Sequence, residues 1–566
     1  MDKLTKNRLL DLCVLMIYIE KSCVKLVTIA VDLLTVYEKC CILCVISSGC
    51  SGEKPVQNAK SNWEPIMKRR IFTLLLCALL VAPTLLSCSG GETKETEKDT
   101  SSADNATESV EETEALSDYE MRQLIPDDLE DNDFGGRDFR VLTTSHDTYD
   151  AVTFEIVAEE LTGDACNDAV YNRNLEIENR FNAKVTCNTE KEPYNVIKTA
   201  VTAGTDDYDL VGTYNFQVYH LISAGAVMNW MEVPHVNLEK PWHNALANKN
   251  ATINNRLYAI CSDLSITSMT YTYATFFNIE MMEGYGYSAD DLYTLVRDGK
   301  WTIDKLSEMV SGMYKDVNGD GKKDKDDIYG YGYQITNPAD VWLTAFDQPL
   351  FTMNDDNTYT INFMSEKTTA IIEKLVDFHY NNPGVFLPPT QYDEQTYFLN
   401  GQFAMAPLRF HCAYTKLRDM EDPYSMLPYP KWDEAQSAYY TNADDKFTAF
   451  MIPLTAYNNI DFVGTIFEAL SAISYKKVYP EYYDVALKGK YATDSNTAEM
   501  IDLIMEGRNF DFTFQFGETY FQRLPYMIRE LISAKNTNLA SKYDTAAKKL
   551  YTQIDEKLLP LYGVEK

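Results

Sequence analysis

The sequence has few histidines and none of the common catalytic signatures. Six His residues are scattered among 566 positions without the paired spacing of a metal site. No HExxH, GxSxG or dinucleotide-binding GxGxxG pattern occurs. Asp and Glu number 84, so a chance pair of carboxylates says nothing about glycosidase chemistry. The sequence therefore gives no positive support for an enzyme.

Positive charge is also scarce. Lys and Arg number 51, and the formal net charge is -33. Such a balance argues against binding nucleic acid, and against attachment to an anionic membrane through basic patches. Hydrophobic residues make up 45% of the chain and aromatic residues 12%, which is the composition of a folded globular protein. We expect a small neutral or cationic partner and no nucleic acid.

A short apolar run near residue 70 indicates where the protein resides. The run Ile71 to Val81 is too short for an ordinary membrane span, and three basic residues at 68–70 precede it. It is followed by "LLSC", which ends at Cys88 and resembles the lipobox of bacterial lipoprotein signals. Residues 67–87 are therefore predicted to be a lipoprotein signal peptide. The resemblance makes Cys88 the lipid attachment site and places the protein outside the cytoplasm, anchored to the bacterial membrane.

Two segments flank the predicted signal peptide. Residues 1–66 lie upstream of a complete signal, and we interpret them as a spurious extension with Met67 as the true start; a membrane-inserted extension is the alternative. Residues 88–131 begin with a run rich in Glu, Thr and Ser that has no aromatic residue before Asp118. A segment of that composition buries too little surface to fold, so we predict an acidic disordered tether.

Cysteine usage beyond Cys88 indicates no metal site. Four Cys remain, at 166, 187, 261 and 412, without CxxC spacing or His partners at zinc-like spacing. We interpret them as small buried hydrophobic residues, and a disulfide between any two of them stays open.

Strands and helices alternate from about Phe134 onward. "FRVLTT", "AKVTCN" and "YDLVGTY" have the pattern of strands, and "DAVYNRNLEIENRF" and "YNVIKTAVTAG" that of helices between them. This alternation predicts an α/β fold with mainly parallel sheets.

Longer segments resemble bacterial extracellular solute-binding proteins of family 1. Among them are "LTGDACNDAVYNRNLEIENRFNAKV", "AGTDDYDLVGTY", "LYTLVRDGKWTIDKLSEMV", "FLNGQFAMAPL" and "EALSAISYKKVYPEYYDVALKGKYATD", within residues 137–515 and in the order of the family. The resemblance implies a two-lobe periplasmic-binding-protein-like fold of type II with a hinge. It places lobe one at 132–265 and 450–509, and lobe two at 266–449 and 510–566.

The same resemblance implies a function and a set of ligand residues. A small solute, a sugar or oligosaccharide, would bind between the lobes and pass to the permease subunits of an ABC importer. Trp342 falls where the family places an aromatic residue of the cleft. Tyr214 ends a strand, Asp263 follows "LYAIC" at the first hinge crossing, and Arg409 and His411 follow the strand "QFAMAP". For these four, a surface or hinge role is the alternative.

The stretch "DVNGDGKKDKDD" has the spacing of an EF-hand calcium loop. Side-chain oxygens fall at positions 1, 3, 5, 9 and 12, a carbonyl at position 7 and Gly321 at position 6. The predicted ligands are Asp316, Asn318, Asp320, Lys322 (carbonyl), Asp324 and Asp327. A helix capped by Thr302 precedes the loop and the extended "IYGYGY" follows it, so we predict a structural Ca²⁺ rather than a sensor. A solvated acidic turn is the alternative.

Two further functions stay open at the level of sequence. One is an extracellular hydrolase that acts on carbohydrate, and the other is a surface adhesion or scaffold protein stiffened by calcium. The ordered run of family-like segments favours the solute-binding protein over both.

Overall fold

The computed structural model describes residues 118–145, 155–388, 393–418, 420–491 and 495–565. The predicted extension 1–66, the predicted signal peptide 67–87, Cys88 and the predicted tether up to residue 117 lie outside these ranges. Within them, no helix combines the length and the hydropathy that a bilayer span requires.

Strands and helices alternate as the pattern predicts. The strands are β1 Arg137–Thr144, β2 Ala183–Glu190, β3 Leu210–Tyr214, β4 Tyr273–Asn278, β5 Tyr329–Gly332, β6 Phe351–Met353, β7 Tyr359–Ile361, β8 Val385–Phe386, β9 Phe403–Arg409, β10 Tyr424–Leu427, β11 Thr441–Asn442, β12 Thr448–Met451 and β13 Arg508–Asn509. The α-helices are α1 Asp118–Leu124, α2 Ala165–Phe181, α3 Pro193–Ala203, α4 Tyr219–Ile222, α5 Ala245–Ala251, α6 Thr267–Thr270, α7 Ile279–Gly284, α8 Ala289–Arg297, α9 Ile303–Ser311, α10 Asn337–Ala345, α11 Glu366–Asn381, α12 Asp393–Leu399, α13 Phe410–Tyr414, α14 Ile460–Ile473, α15 Ser495–Glu506, α16 Met527–Ser533, α17 Leu539–Gln553 and α18 Leu559–Leu561.

Lobe one is built on a four-stranded sheet in the order β12-β3-β1-β2. Strand β1 pairs in parallel with β2 and β3, whereas β12 runs antiparallel to β3. Helices α2 and α3 connect the parallel strands and pack against β2 and β3. Their apolar faces cover the sheet, so Phe139, Ile177 and Ile197 have no exposed surface.

Lobe two is built on a five-stranded sheet in the order β10-β4-β9-β5-β8. Strand β4 is antiparallel to both β10 and β9, whereas β5 is parallel to β9 and β8. Helices α9, α11 and α12 pack against β5, β8 and β9 respectively.

The chain crosses between the two lobes several times. Residues 271–273 lead into β4, and residues 442–447 lead from β11 to β12. These crossings run side by side, because Asp444 N donates to Tyr271 O at 2.9 Å. Strand β13 joins them by pairing in parallel with β11. The predicted α/β fold, with two lobes around a hinge, is confirmed.

The predicted tether extends too far into the chain. Helix α1 is docked on the folded part, where Gln123 Nε2 donates to Lys476 O at 2.7 Å. Further along, the Arg180 guanidinium binds the carboxylates of Asp127 and Asp131. The low hydrophobicity that indicated disorder is offset here by ionic and aromatic partners from elsewhere in the chain. Residues 118–131 therefore belong to the folded protein.

The lobes also exchange segments more often near the C-terminus than the predicted boundaries allow. Helix α15, expected in lobe one, packs against β10 and α8 of lobe two. The 3₁₀ segment Phe512–Phe516, expected in lobe two, packs against α5 of lobe one. Tyr258 OH donates to Leu561 O at 2.9 Å, so the end of the chain returns to lobe one. An amphipathic pattern shows that a helix is covered, but it does not identify the lobe that covers it.

Candidate ligand site at the lobe junction

Two neighbouring clefts lie where the hinge crossings meet lobe two. The larger contains about 290 Å³ of space outside protein atoms, and part of that space is open to solvent. It is lined by Tyr273, Gln334, Thr336, Asn337, Pro338, Glu394, Gln395, Pro407, Leu408, Arg409, Asp444 and Lys446. The second shares three of these residues and adds Asp340, Val341, Asn442, Ala443, Asp445 and Phe514. The enclosed room in each is that of about one water molecule.

Asp444 is the centre of a buried hydrogen-bond network. Tyr273 OH donates to its Oδ2 at 2.9 Å, and Asn337 Nδ2 donates to its Oδ1 at 2.9 Å. Arg409 Nη1 lies 3.6 Å from the same Oδ2. Burial acts to raise the pKa of Asp444, but the charges of Lys446 and Arg409 outweigh it and hold that pKa at about 2. Asp444 is therefore an anion.

The neighbouring carboxyls behave differently. Burial and the negative charge of Asp444 raise the pKa of Asp445 to about 7. Burial also raises the pKa of Asp340 well above its usual range, although Arg529 Nη1 binds its Oδ2 at 2.9 Å. Four carboxyl groups, those of Asp340, Asp444, Asp445 and Glu394, thus share the junction with three cations, Arg409, Lys446 and Arg529. The junction is polar and holds groups of both charge signs.

Four buried polar atoms that line the clefts have no hydrogen-bond partner among the described residues. They are Gln334 Oε1, Asp340 Oδ1, Arg409 Nη1 and Asn442 Oδ1. A buried polar group without a partner costs about 1–3 kcal/mol, so such atoms usually receive a partner from bound solute or water. Acceptors and a guanidinium donor are both present, so a group that donates and accepts at once fits the site best.

Three of the sequence-predicted ligand residues gather around this junction. Arg409 lines the larger cleft, and its guanidinium lies 4.6 Å from the ring centroid of Tyr271. The His411 ring meets the Tyr271 ring edge-on, with 5.7 Å between the ring centroids. Burial and the charge of Arg409 lower the pKa of His411 to about 3, so the imidazole is neutral. Tyr214 is buried at the end of β3 and stacks on Phe216. His411 and Tyr214 support the junction rather than line the clefts.

The other two predicted ligand residues lie elsewhere. Trp342 has no exposed surface, and its Nε1 donates to Tyr333 OH at 3.0 Å inside the core of lobe two. This position does not support stacking on a solute, because helix α10 turns the indole away from the cleft that its own Asn337 and Asp340 line. Asp263 lies near Arg508 and Arg122 and lines neither cleft.

Sequence reasoning missed the main residues of the junction. Asp444, Asp445 and Lys446 form a charged triplet at a hinge crossing. Tyr273 is the first residue of β4, and Asn337 is the first residue of α10. The triplet "DDK" is the one local signal, since three consecutive charges beside the buried strand β12 are unusual. In a sequence with 84 acidic residues that signal is easily overlooked.

The predicted calcium loop has the predicted helix–loop–strand setting. Thr302 Oγ1 caps α9 by accepting from Lys305 N, and β5 follows the loop. Carboxylate oxygens of Asp316 accept from Gly319 N at 2.6 Å and from Gly321 N at 2.9 Å. Asp327 accepts from Val317 N at 3.1 Å. Within the described ranges, no three His, Cys, Asp or Glu side chains converge closely enough to hold a metal ion. The donors suit calcium chemically, but here they bind the loop backbone.

The four cysteines in the described part of the chain are free thiols. Cys166, Cys261 and Cys412 are buried, and Cys187 is half-buried. Trp301 is also fully buried, and its Nε1 donates to Pro428 O at 2.9 Å.

Comparison with known proteins adds little to what the structure itself shows. No family model matches the sequence, and no curated protein matches it. The chain is similar to the GacH receptor of Streptomyces glaucescens GLA.O, whose structures are described in the unliganded form and with acarbose and an acarbose homolog. The two share 12% identity with a TM-score of 0.44, over 76% of this chain and 100% of the receptor. A likeness at this level does not establish membership of family 1, which stays a prediction.

Proposed function

We propose that this protein is an extracytoplasmic solute-binding protein that captures a small neutral solute, a sugar or oligosaccharide, for the permease subunits of an ABC importer. The observation that carries the proposal is the polar junction between the lobes. It holds groups of both charge signs, so it offers no surface of a single sign to a charged ligand. Its atoms without a hydrogen-bond partner include acceptors and a donor. A hydroxyl group satisfies both kinds, whereas an ammonium group only donates and a carboxylate only accepts.

The test is equilibrium binding, by calorimetry and thermal shift, to a panel of mono- and oligosaccharides, polyamines and short peptides. A saccharide is expected to raise the melting temperature, because a ligand of the native state stabilises it. Gln334→Leu removes an acceptor of the larger cleft and is expected to weaken binding about threefold to tenfold. Gln348→Leu is the matched control, a buried Gln of lobe two that lines neither cleft. Binding of polyamines alone, or saccharide hydrolysis during the titration, would contradict the proposal.

We also propose that the loop Asp316–Asp327 binds one structural Ca²⁺. Its support is the donor set, which is all oxygen at EF-hand spacing, with Gly319 and Gly321 at φ of 73° and 74°. Calcium is expected to raise the melting temperature and a chelator to lower it. Asp316→Ala with Asp320→Ala should remove the response, and Asp355→Ala with Asp356→Ala, in the exposed β6–β7 turn, should keep it. Identical melting curves with calcium and with chelator would contradict this proposal.

We further propose that Cys88 carries the lipid anchor. The support is the order of basic residues, short apolar run and "LLSC" in the sequence. Cys88→Ala is expected to move the protein from the membrane fraction to the soluble fraction, because stable anchoring needs several acyl chains. Cys77→Ala, within the apolar run, is the matched control. Retention of Cys88→Ala in the membrane at the level of the parent protein would exclude this assignment.

A further inference from the structure

Helix α1 is attached to the chain segment that passes from lobe one to lobe two. The Arg122 guanidinium lies between two rings, 4.7 Å from the centroid of Tyr475 and 4.7 Å from that of Tyr479. Gln123 Nε2 donates to Lys476 O in the same segment. This segment follows α14, which packs on α2 in lobe one, and precedes α15, which packs on β10 in lobe two. The segment itself packs on α2, and the chain crosses to lobe two between it and α15.

Two other crossings come close to the same place. Asp263 precedes the first crossing, and Arg508 begins β13, which pairs with β11. Burial raises the pKa of Asp263 to about 7, and the nearby positive charges of Arg508 and Arg122 oppose that rise. Arg508 Nη1 also donates to Ser268 O at 2.8 Å. Arg122 thus lies near residues that flank three crossings.

The narrow clefts make movement at these crossings necessary. Each encloses room for about one water molecule, whereas small-molecule pockets usually have several hundred Å³. A solute of the proposed size enters only when the lobes move apart, and hinge residues absorb that rotation. A group that ties the crossings together therefore restrains that rotation.

We propose that α1 is a strut on the hinge: docked through Arg122 and Gln123 on the segment Tyr475–Tyr479, it restrains rotation of the lobes about the crossings, and its release frees that rotation. The importance of the strut for solute entry rests on the proposed function, but its effect on the hinge does not. The helix directly follows the segment predicted to lead to the membrane. A change in that segment would therefore alter the restraint on the hinge through α1.

The test is hydrogen–deuterium exchange of the full chain without added solute. Arg122→Ala removes the guanidinium between the two rings. We expect amide exchange at 441–447 to become about threefold to tenfold faster, as loss of a partly desolvated cation–π contact implies. Exchange in the core strands β1 and β9 is expected to stay unchanged. Met121→Ala is the matched control, because this side chain of the same helix is 48% exposed.

Four other outcomes are distinguished. Unchanged exchange at 441–447 overturns the strut, and so does an equal increase in β1 and β9, which would mean general destabilisation. If Arg122→Ala does not fold, Gln123→Ala is measured in its place and judged by the same criteria. A local increase together with a negative saccharide panel supports the strut and rejects the proposed function, so the two ideas fail separately.

Discussion

Glu155 illustrates how a single buried carboxyl ties the hinge crossings together. Its Oε1 accepts from Thr267 Oγ1 at 3.4 Å and its Oε2 from Thr448 Oγ1 at 3.3 Å. Burial raises the pKa of Glu155 to about 7, against the hydrogen bonds of the two threonines and the charge of Arg173. The folded protein therefore holds this proton up to about pH 7, whereas the unfolded chain releases it near pH 4.5. Stability is lost as the pH rises through that window.

Glu155→Gln should remove this loss while keeping hydrogen bonds to both threonines. We expect the variant to equal the parent near pH 4 and to be more stable at pH 8, by up to about 3 kcal/mol, because one pKa unit corresponds to about 1.4 kcal/mol. Urea unfolding at pH 4, 6 and 8 measures the difference, with exposed Glu159→Gln as the control. A stability difference that does not depend on pH would show that Glu155 is ionised in the folded state.

Trp342→Phe separates the structural role of the indole from the predicted contact with ligand. The side chain is fully buried and loses its hydrogen bond to Tyr333 on substitution. We expect a loss of about 1–3 kcal/mol in the free energy of unfolding, since Tyr333 OH is left buried without this donor. Saccharide affinity should stay within about twofold of the parent. A large loss of affinity at unchanged stability would instead favour the stacking contact that the family resemblance implies.

At the scale of elements, Gly332 allows β5 to pack between β8 and β9. A Cβ on Gly332 would lie 1.7 Å from the Phe403 ring, which is itself fully buried. Gly332→Ala is therefore expected to destabilise the protein by about 1–3 kcal/mol or more through overpacking. Gly284→Ala at the end of α7 is the control, because no atom lies within 4 Å of its added Cβ. Equal melting temperatures for the two variants would contradict this account.

Elements with a local signal could be predicted from the sequence. The Thr302 cap, helix α9 and the extended "IYGYGY" are all present, because capping, amphipathicity and alternation act over a few residues. Helix α1 was missed for the opposite reason. It buries little apolar surface of its own and depends on Tyr475 and Tyr479, more than 350 residues away in sequence. No local pattern contains that contact.

At the scale of the whole molecule, the candidate site depends on distant segments that meet at the hinge. Strand ends point toward ligand sites in α/β folds, and that rule led to Arg409, which lines the larger cleft. The family resemblance led to Trp342, whose helix lies at the cleft while its ring points into the core. Asp444 could not be chosen among 84 acidic residues, because its importance comes from Tyr273 and Asn337 on other elements.

The narrow lobe junction leads to a prediction about the shape of the protein in solution. Because the clefts enclose room for about one water molecule, a solute enters through an open form and is then surrounded by a closed one. We expect small-angle scattering to show a mixture of open and closed forms without solute, and a smaller radius of gyration at saturation with a saccharide found in the panel.

Gln334→Leu should reach the same final radius at about threefold to tenfold higher solute concentration, since the substitution weakens binding without altering the hinge. Arg122→Ala should reach the same radius on saturation, because the ligand groups remain when the hinge strut is lost. A radius that does not change on saturation, with binding verified by calorimetry on the same sample, would exclude closure of the lobes around the solute.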